Sequence, residues 1–134
     1  MAFLLCADFS LFPDDTALGP GFTFAAMDFQ DVPGGSVVSF VNATAGERGL
    51  QFPHSGLEIG LPVPVRWARL RIGQFAGPYT VDGLDLAGAA VSTFAMNFPN
   101  TYRNVRLRGP DLFTIRFTGG DSEGSVVSVC VPVP

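Results

Sequence analysis

The sequence has no lysine, one histidine and one tryptophan, and only 15% of its 134 residues are charged. Each shortage excludes something. One histidine, His54, and two distant cysteines do not make a zinc site, which takes three or four clustered ligands. His54 lies in Phe52-Pro53-His54-Ser55-Gly56, beside a serine. Sequence neighbours do not form a catalytic triad, because the base must reach the hydroxyl across space and be oriented by a third group. Neither a P-loop nor a dinucleotide-binding glycine fingerprint occurs. A carboxylate pair for glycoside cleavage is the one hydrolytic option left open, and it ranks last. The formal charge is −4 with a pI near 4.6, whereas a general nucleic-acid binder is basic. No apolar run reaches the ~18 residues of a membrane span. The opening Met1–Cys6 stretch is apolar but short, lacks basic residues and soon meets Asp8. It therefore reads as no signal peptide, and placement outside the cell or on a particle surface would need another route or a signal already removed.

Helical periodicity is missing too. No stretch of ten or more residues carries it, while thirteen Phe, sixteen Gly and eleven Pro punctuate the chain. Aromatic and β-branched segments separated by Gly, Pro and Asp turns predict many short strands. The expected strands are Phe3–Phe9, Phe22–Phe29, Ser36–Asn42, Gly56–Leu61, Val65–Ile72, Tyr79–Asp85, Ala90–Met96, Asn104–Arg108, Leu112–Thr118 and Ser125–Val131. About ten short strands in one domain, 1–134, predict an all-β, antiparallel two-sheet sandwich of the jelly-roll kind.

A side-chain period of two assigns faces. Ala68, Leu70 and Ile72 point inward, and Trp67, Arg69 and Arg71 outward. Val105 and Leu107 point inward, and Arg106 and Arg108 outward. Phe113, Ile115 and Phe117 point inward, and Thr114 and Arg116 outward. If these strands share a sheet, its outer face is a ladder of guanidinium groups beside Trp67. Three readings stand. The face binds acidic sugars, sulfate or another anion, with Trp67 as a stacking platform. It forms a subunit interface, where Arg and Trp concentrate. Or it is a solvated face whose arginines pair with carboxylates such as Glu58 and Asp82.

Cys6 and Cys130 lie near opposite ends of the chain. First and last strands of a jelly roll commonly pair, so a disulfide and two buried thiols are both open. Should the two face each other, antiparallel pairing makes opposed residue numbers sum to about 136. Residue 123 then sits opposite 13, and Asp14, Asp15, Asp121 and Glu123 gather at one edge. Four such carboxylates repel one another unless a hard cation such as Ca²⁺ binds; the alternative is solvated turn residues. Asp82-Gly83-Leu84-Asp85 reads as a hairpin end rather than a Ca²⁺ loop, and Asn42-Ala43-Thr44 fits the glycosylation sequon.

Several segments, taken in order, resemble bacterial jelly-roll domains of the galactose-binding and carbohydrate-binding-module type. They are Cys6-Ala7-Asp8-Phe9 with Gly21-Phe22-Thr23-Phe24, and Leu61-Pro62-Val63-Pro64 leading into Arg69-Leu70-Arg71-Ile72-Gly73. Tyr79–Val91 with its Asp85-Leu86-Ala87-Gly88 turn follows, then Gly119-Gly120-Asp121-Ser122-Glu123 before Cys130-Val131. The resemblance implies non-catalytic glycan binding, with a structural Ca²⁺ in some members. Asp8 and Glu123 match the acidic positions near the first and last strands. The leading expectation is thus a lectin-like module in which Trp67, Tyr79 or Tyr102 stacks on a sugar beside Arg or Asn donors. The runner-up is an oligomer-forming structural protein, such as a virion decoration or surface-appendage subunit. A positive mean hydropathy of +0.32 and so little charge favour an apolar patch that seeks a partner, including a second copy.

Overall fold

The computed structural model describes residues 3–134; Met1 and Ala2, where the apolar N-terminal stretch begins, lie outside the described residues. Among the described residues there are ten antiparallel strands and no helix long and apolar enough to cross a membrane. In order they are β1 (Phe3–Asp8), β2 (Gly21–Phe24), β3 (Met27–Asp31), β4 (Phe40–Thr44) and β5 (Glu47–Phe52). Then come β6 (Leu57–Gln74), β7 (Tyr79–Leu84), β8 (Ala90–Met96), β9 (Thr101–Gly119) and β10 (Gly124–Val133).

Two strands are not short. β6 joins the expected Gly56–Leu61 and Val65–Ile72 strands, and β9 joins Asn104–Arg108 to Leu112–Thr118. The intervening Pro62, Pro64 and Gly109-Pro110-Asp111 act as bends rather than as chain-reversing turns. Proline offers no N–H to a ladder, and the β6–β9 register shifts between Gly60 and Val65 and again between Val65 and Trp67. Bulges of this kind let one strand turn a corner and serve two sheets. The first half of β6 lies between β3 and the second half of β9, which in turn pairs with β7. The second half of β6 lies between β10 and the first half of β9.

The two layers close on each other through Phe52 of β5, whose ring sits 5.2 Å from both Tyr79 and Phe117 of the other layer. One core cluster draws on every strand once half-buried Phe22 and Phe24 are included. Ala68, Leu70, Ile72, Val105, Leu107, Ile115 and Phe117 are all buried, as their alternation requires. Phe113 is only half-buried, because the bend shifts the period and gives the core position to Leu112.

The segment Phe22–Phe29 is a hairpin, not one strand. Its turn, Ala25-Ala26, has φ of 52° and 59°, the left-handed pair a two-residue hairpin needs. β4 begins later than expected, at Phe40, and β5 was not foreseen. A Cβ on Gly49 of β5 would run into Ser125 Oγ of β10, so that glycine marks a close strand approach rather than a break.

β1 pairs with β10 in the register that places Cys6 opposite Cys130, and the two are disulfide-bonded. The ladder stops at Asp8↔Ser128, where Phe9–Leu11 forms a short 3₁₀ turn that buries Phe9. Residue 13 therefore does not face residue 123.

Candidate functional site

On the outer side of one layer, four strands present a readable grid. One row runs Cys6, Cys130, Arg69, Arg106 across β1, β10, β6 and β9. The next runs Asp8, Ser128, Arg71, Asn104. In the row beyond the cysteines, Trp67 faces Arg108. The structure thus brings together Trp67, Arg69, Arg71, Arg106 and Arg108, as the alternation predicts. Arg116 belongs elsewhere. It lies past the bend in β9, on the other layer, between Glu58 and Asp82, and reaches Glu58 Oε1 at 3.4 Å.

These arginines are not equivalent. Arg71 grips Glu47 of β5 with Nε and Nη2, each at 2.6 Å, and donates Nη1 to Asn104 Oδ1 at 3.0 Å. The Glu47 hydrogen bonds hold the Arg71 guanidinium above its usual pKa, against the opposing pull of burial. Arg106 lies over the Trp67 ring, 4.6 Å from its centroid, a cation–π geometry. Arg69, Arg106 and Arg108 form no ion pair with any described residue.

The face is grooved. A depression of about 560 Å³ bounded by Pro64, Trp67, Pro110 and Pro134 meets one of about 300 Å³ at Trp67. The latter shares Arg69 with a depression of about 340 Å³ lined by Leu70, Arg71, Asn104 and Ser128. That one shares Arg71 and Ser128 with a further depression of about 600 Å³ holding Asp8, Glu47 and Arg48. The shared residues link the four into a trough across the strands.

The two tyrosines do other work. Tyr79 is buried in the core, and its hydroxyl donates to Gly73 O at 2.7 Å. Burial drives its pKa far above the ordinary tyrosine value. Its ring meets Phe52 edge to face inside the core. Tyr102 is half-buried, with Phe75 against its ring and Arg71 above it. Its hydroxyl donates to Thr44 O at 2.6 Å and so pins the β4–β5 turn. Burial, then the Glu47 carboxylate, raise its pKa. Of the three expected stacking rings, only Trp67 faces the trough.

The expected acidic edge is dispersed. Asp8 accepts from Ser10 N at 3.0 Å and Ser10 Oγ at 2.6 Å, capping the 3₁₀ turn. Asp14 accepts from Ala43 N at 2.7 Å, and Asp15 N donates to Val41 O. Both aspartates therefore help cover the outer edge of β4. Asp121 lies in the β9–β10 turn beside His54, whose Nδ1 accepts the Asp121 N–H at 3.0 Å. Glu123 lies in the same turn, exposed. Among the described residues no three His, Cys, Asp or Glu side chains cluster as metal ligands would. Ser55 Oγ turns away from His54 and donates to Val32 O, while Ser122 Oγ accepts the His54 backbone N–H.

Geometry and grid define an antiparallel β-sandwich with one arginine-rich outer face. No protein-family model matches the chain, and no curated protein matches it.

Proposed function

We propose that this chain is a non-catalytic, lectin-like binding module whose Trp67 and arginine face takes an acidic glycan. The carrying observation is that Arg69, Arg106 and Arg108 stand without a carboxylate partner among the described residues, in a chain of net charge −4. Like charges directly opposite on a ladder destabilise it, and Arg69 faces Arg106. An anionic ligand relieves that repulsion. The trough beside them supplies the contact area an extended saccharide needs. Arg106 covers one face of the Trp67 indole, leaving only the other for a sugar ring. Charge, more than stacking, then sets the preference. A glycan array with neutral and acidic members, run with and without Ca²⁺, tests the reading. Expected are hits confined to acidic glycans that weaken in Trp67→Ala and Arg106→Ala; a blank array removes the proposal.

Self-association is the second reading, and a separate observation favours it. The outer edge of β1 has no strand partner among the described residues, and Phe3 and Leu4 there are 63% and 49% exposed. An open, apolar edge strand is a template for another chain. Native mass measurement over a concentration series decides it, since a monomer at the highest concentration ends this option.

A further inference from the structure

The arrangement of donors on this face narrows the kind of anion. The geometry points to a tetrahedral oxyanion, a sulfate ester or a phosphate monoester, bridging Arg69 and Arg106, rather than to the planar carboxylate of a uronic acid. This rests on the reading of the face as an acidic-glycan site.

Arg69 and Arg106 are direct partners across the β6–β9 ladder, so their Cβ atoms are about 5 Å apart. Both side chains leave the same face and are exposed. A carboxylate has two oxygens in one plane, and a bidentate guanidinium fork engages both. The molecule shows this at Arg71, whose fork contacts both oxygens of Glu47. A second fork must then share those same two oxygens through their remaining lone pairs. A sulfate or phosphate ester carries three terminal oxygens, enough for two forks at once.

The groups around the pair are donors as well. Asn104 Oδ1 is already taken by Arg71, which leaves its amide NH₂ to donate. Ser128, in the same depression of about 340 Å³, adds a hydroxyl. Of the carboxylates along the trough, Glu47 is held by Arg71 and Asp8 by Ser10, and Asp111 stands at the far end beyond Trp67. Such a pocket favours an acceptor-only ligand of high charge density and discriminates against groups that must donate.

The test uses the whole protein and isothermal titration at fixed ionic strength with three polymers of similar length: dextran sulfate, polygalacturonate and neutral dextran. Inorganic sulfate and inorganic phosphate serve as competitors that separate the two ester classes. Wild type is compared with Arg69→Ala, Arg106→Ala and the double variant, with Arg116→Ala as a control on the opposite layer. Dextran sulfate is expected to bind at least about tenfold tighter than polygalacturonate, as two shared forks allow. The single variants should each lose about tenfold on dextran sulfate, and the double variant far less than the product, because both forks hold one group. Losses that multiply, or polygalacturonate binding as tightly as dextran sulfate, overturn the bridged oxyanion while leaving the acidic-glycan reading intact. Binding of neither charged polymer overturns both. Circular dichroism of each variant confirms the fold, and these exposed positions lie outside the core.

Discussion

Opening the Cys6–Cys130 bridge should be the most costly small change to this molecule, and its effect should fall on stability while sparing the proposed site. The bonded residues are 124 positions apart, so the bridge closes almost the whole chain into one loop. Loop-closure entropy for that length amounts to about 5 kcal/mol, removed from the unfolded state. A domain of this size has about 5–15 kcal/mol in total, so the loss is a third of its stability or more. The folded state itself gives up little. The six pairs from Phe3↔Val133 to Asp8↔Ser128 still hold β1 on β10, and Ala7 and Phe9 stay in the core. Trp67, Arg69 and Arg106 ride on β6 and β9, whose mutual ladder does not involve the bridge. Guanidinium unfolding of the oxidised protein, the reduced protein and a Cys6→Ala/Cys130→Ala variant measures the effect. The midpoint should fall, and the slope should rise because the unbridged chain exposes more surface when unfolded. Glycan binding at 25 °C should stay within about threefold, because Arg69 and Arg106 keep their β6–β9 pairing and Cys130, Arg69's neighbour on β10, couples to it at the low end of about 0.5 kcal/mol. A stability change below about 1 kcal/mol would refute the loop argument. A reduced protein that is folded but no longer binds would refute placing the site on β6 and β9.

Three further outcomes are expected. Tyr79 and Tyr102 both have raised folded-state pKa values, so their contribution is complete below the unfolded tyrosine value near 10 and is lost as pH climbs toward the folded values. Above about pH 10, stability should drop by about 1.4 kcal/mol per pH unit through Tyr79, with a smaller loss through the more exposed Tyr102; urea titrations from pH 8 to 11 should show a shallower fall in Tyr79→Phe, and an unchanged slope would count against its burial. Glu47→Gln releases Arg71 onto the trough, so polyanion affinity should rise by about threefold with a steeper salt dependence, at a stability cost within about 1 kcal/mol for this partly exposed pair; weaker binding in titration calorimetry would contradict the charge assignment. Gly56→Ala should destabilise by more than about 1 kcal/mol, because φ is +119° and the new Cβ would meet the Phe117 carbonyl; a thermal melt at wild-type temperature would show that the backbone there relaxes freely.

Where the period of two runs unbroken, the sequence is legible down to single side chains. Ala68, Leu70 and Ile72 are buried, and Trp67, Arg69 and Arg71 face out, because nothing interrupts that stretch of β6. The β1–β10 register followed only on the supposition that the two cysteines face each other, a pairing the sequence left open beside two buried thiols and the structure supplies. Local backbone needs that leave no residue-type signal were not legible. Ala25-Ala26 and Ala45-Gly46 make tight hairpin turns with positive φ, yet alanine is not a turn residue by composition. Glu47–Phe52 escaped notice because Gly49 and two charged residues hide a strand whose charges have specific jobs, Glu47 on Arg71 and Arg48 on Ser10 O. The acidic edge failed for a different reason. A register argument holds only while the ladder continues, and this one ends where Phe9 turns into the core.

The bends in β6 and β9 decide what the arginines can do together. Read as separate short strands, Asn104–Arg108 and Leu112–Thr118 place Arg106, Arg108 and Arg116 on one notional face. As a single strand that turns a corner at Gly109-Pro110-Asp111, β9 delivers Arg106 and Arg108 to one layer and Arg116 to the other. Each destination has its own carboxylate supply. Arg116 arrives between Glu58 and Asp82, and Arg71 finds Glu47. Arg69, Arg106 and Arg108 arrive beside Trp67, Cys130 and each other. In a chain with an excess of acidic residues, Arg69, Arg106 and Arg108 thus stand together without a carboxylate on a grooved face. Unrelieved, that placement costs stability on a ladder, and an occupant with several acceptor oxygens turns the cost into affinity.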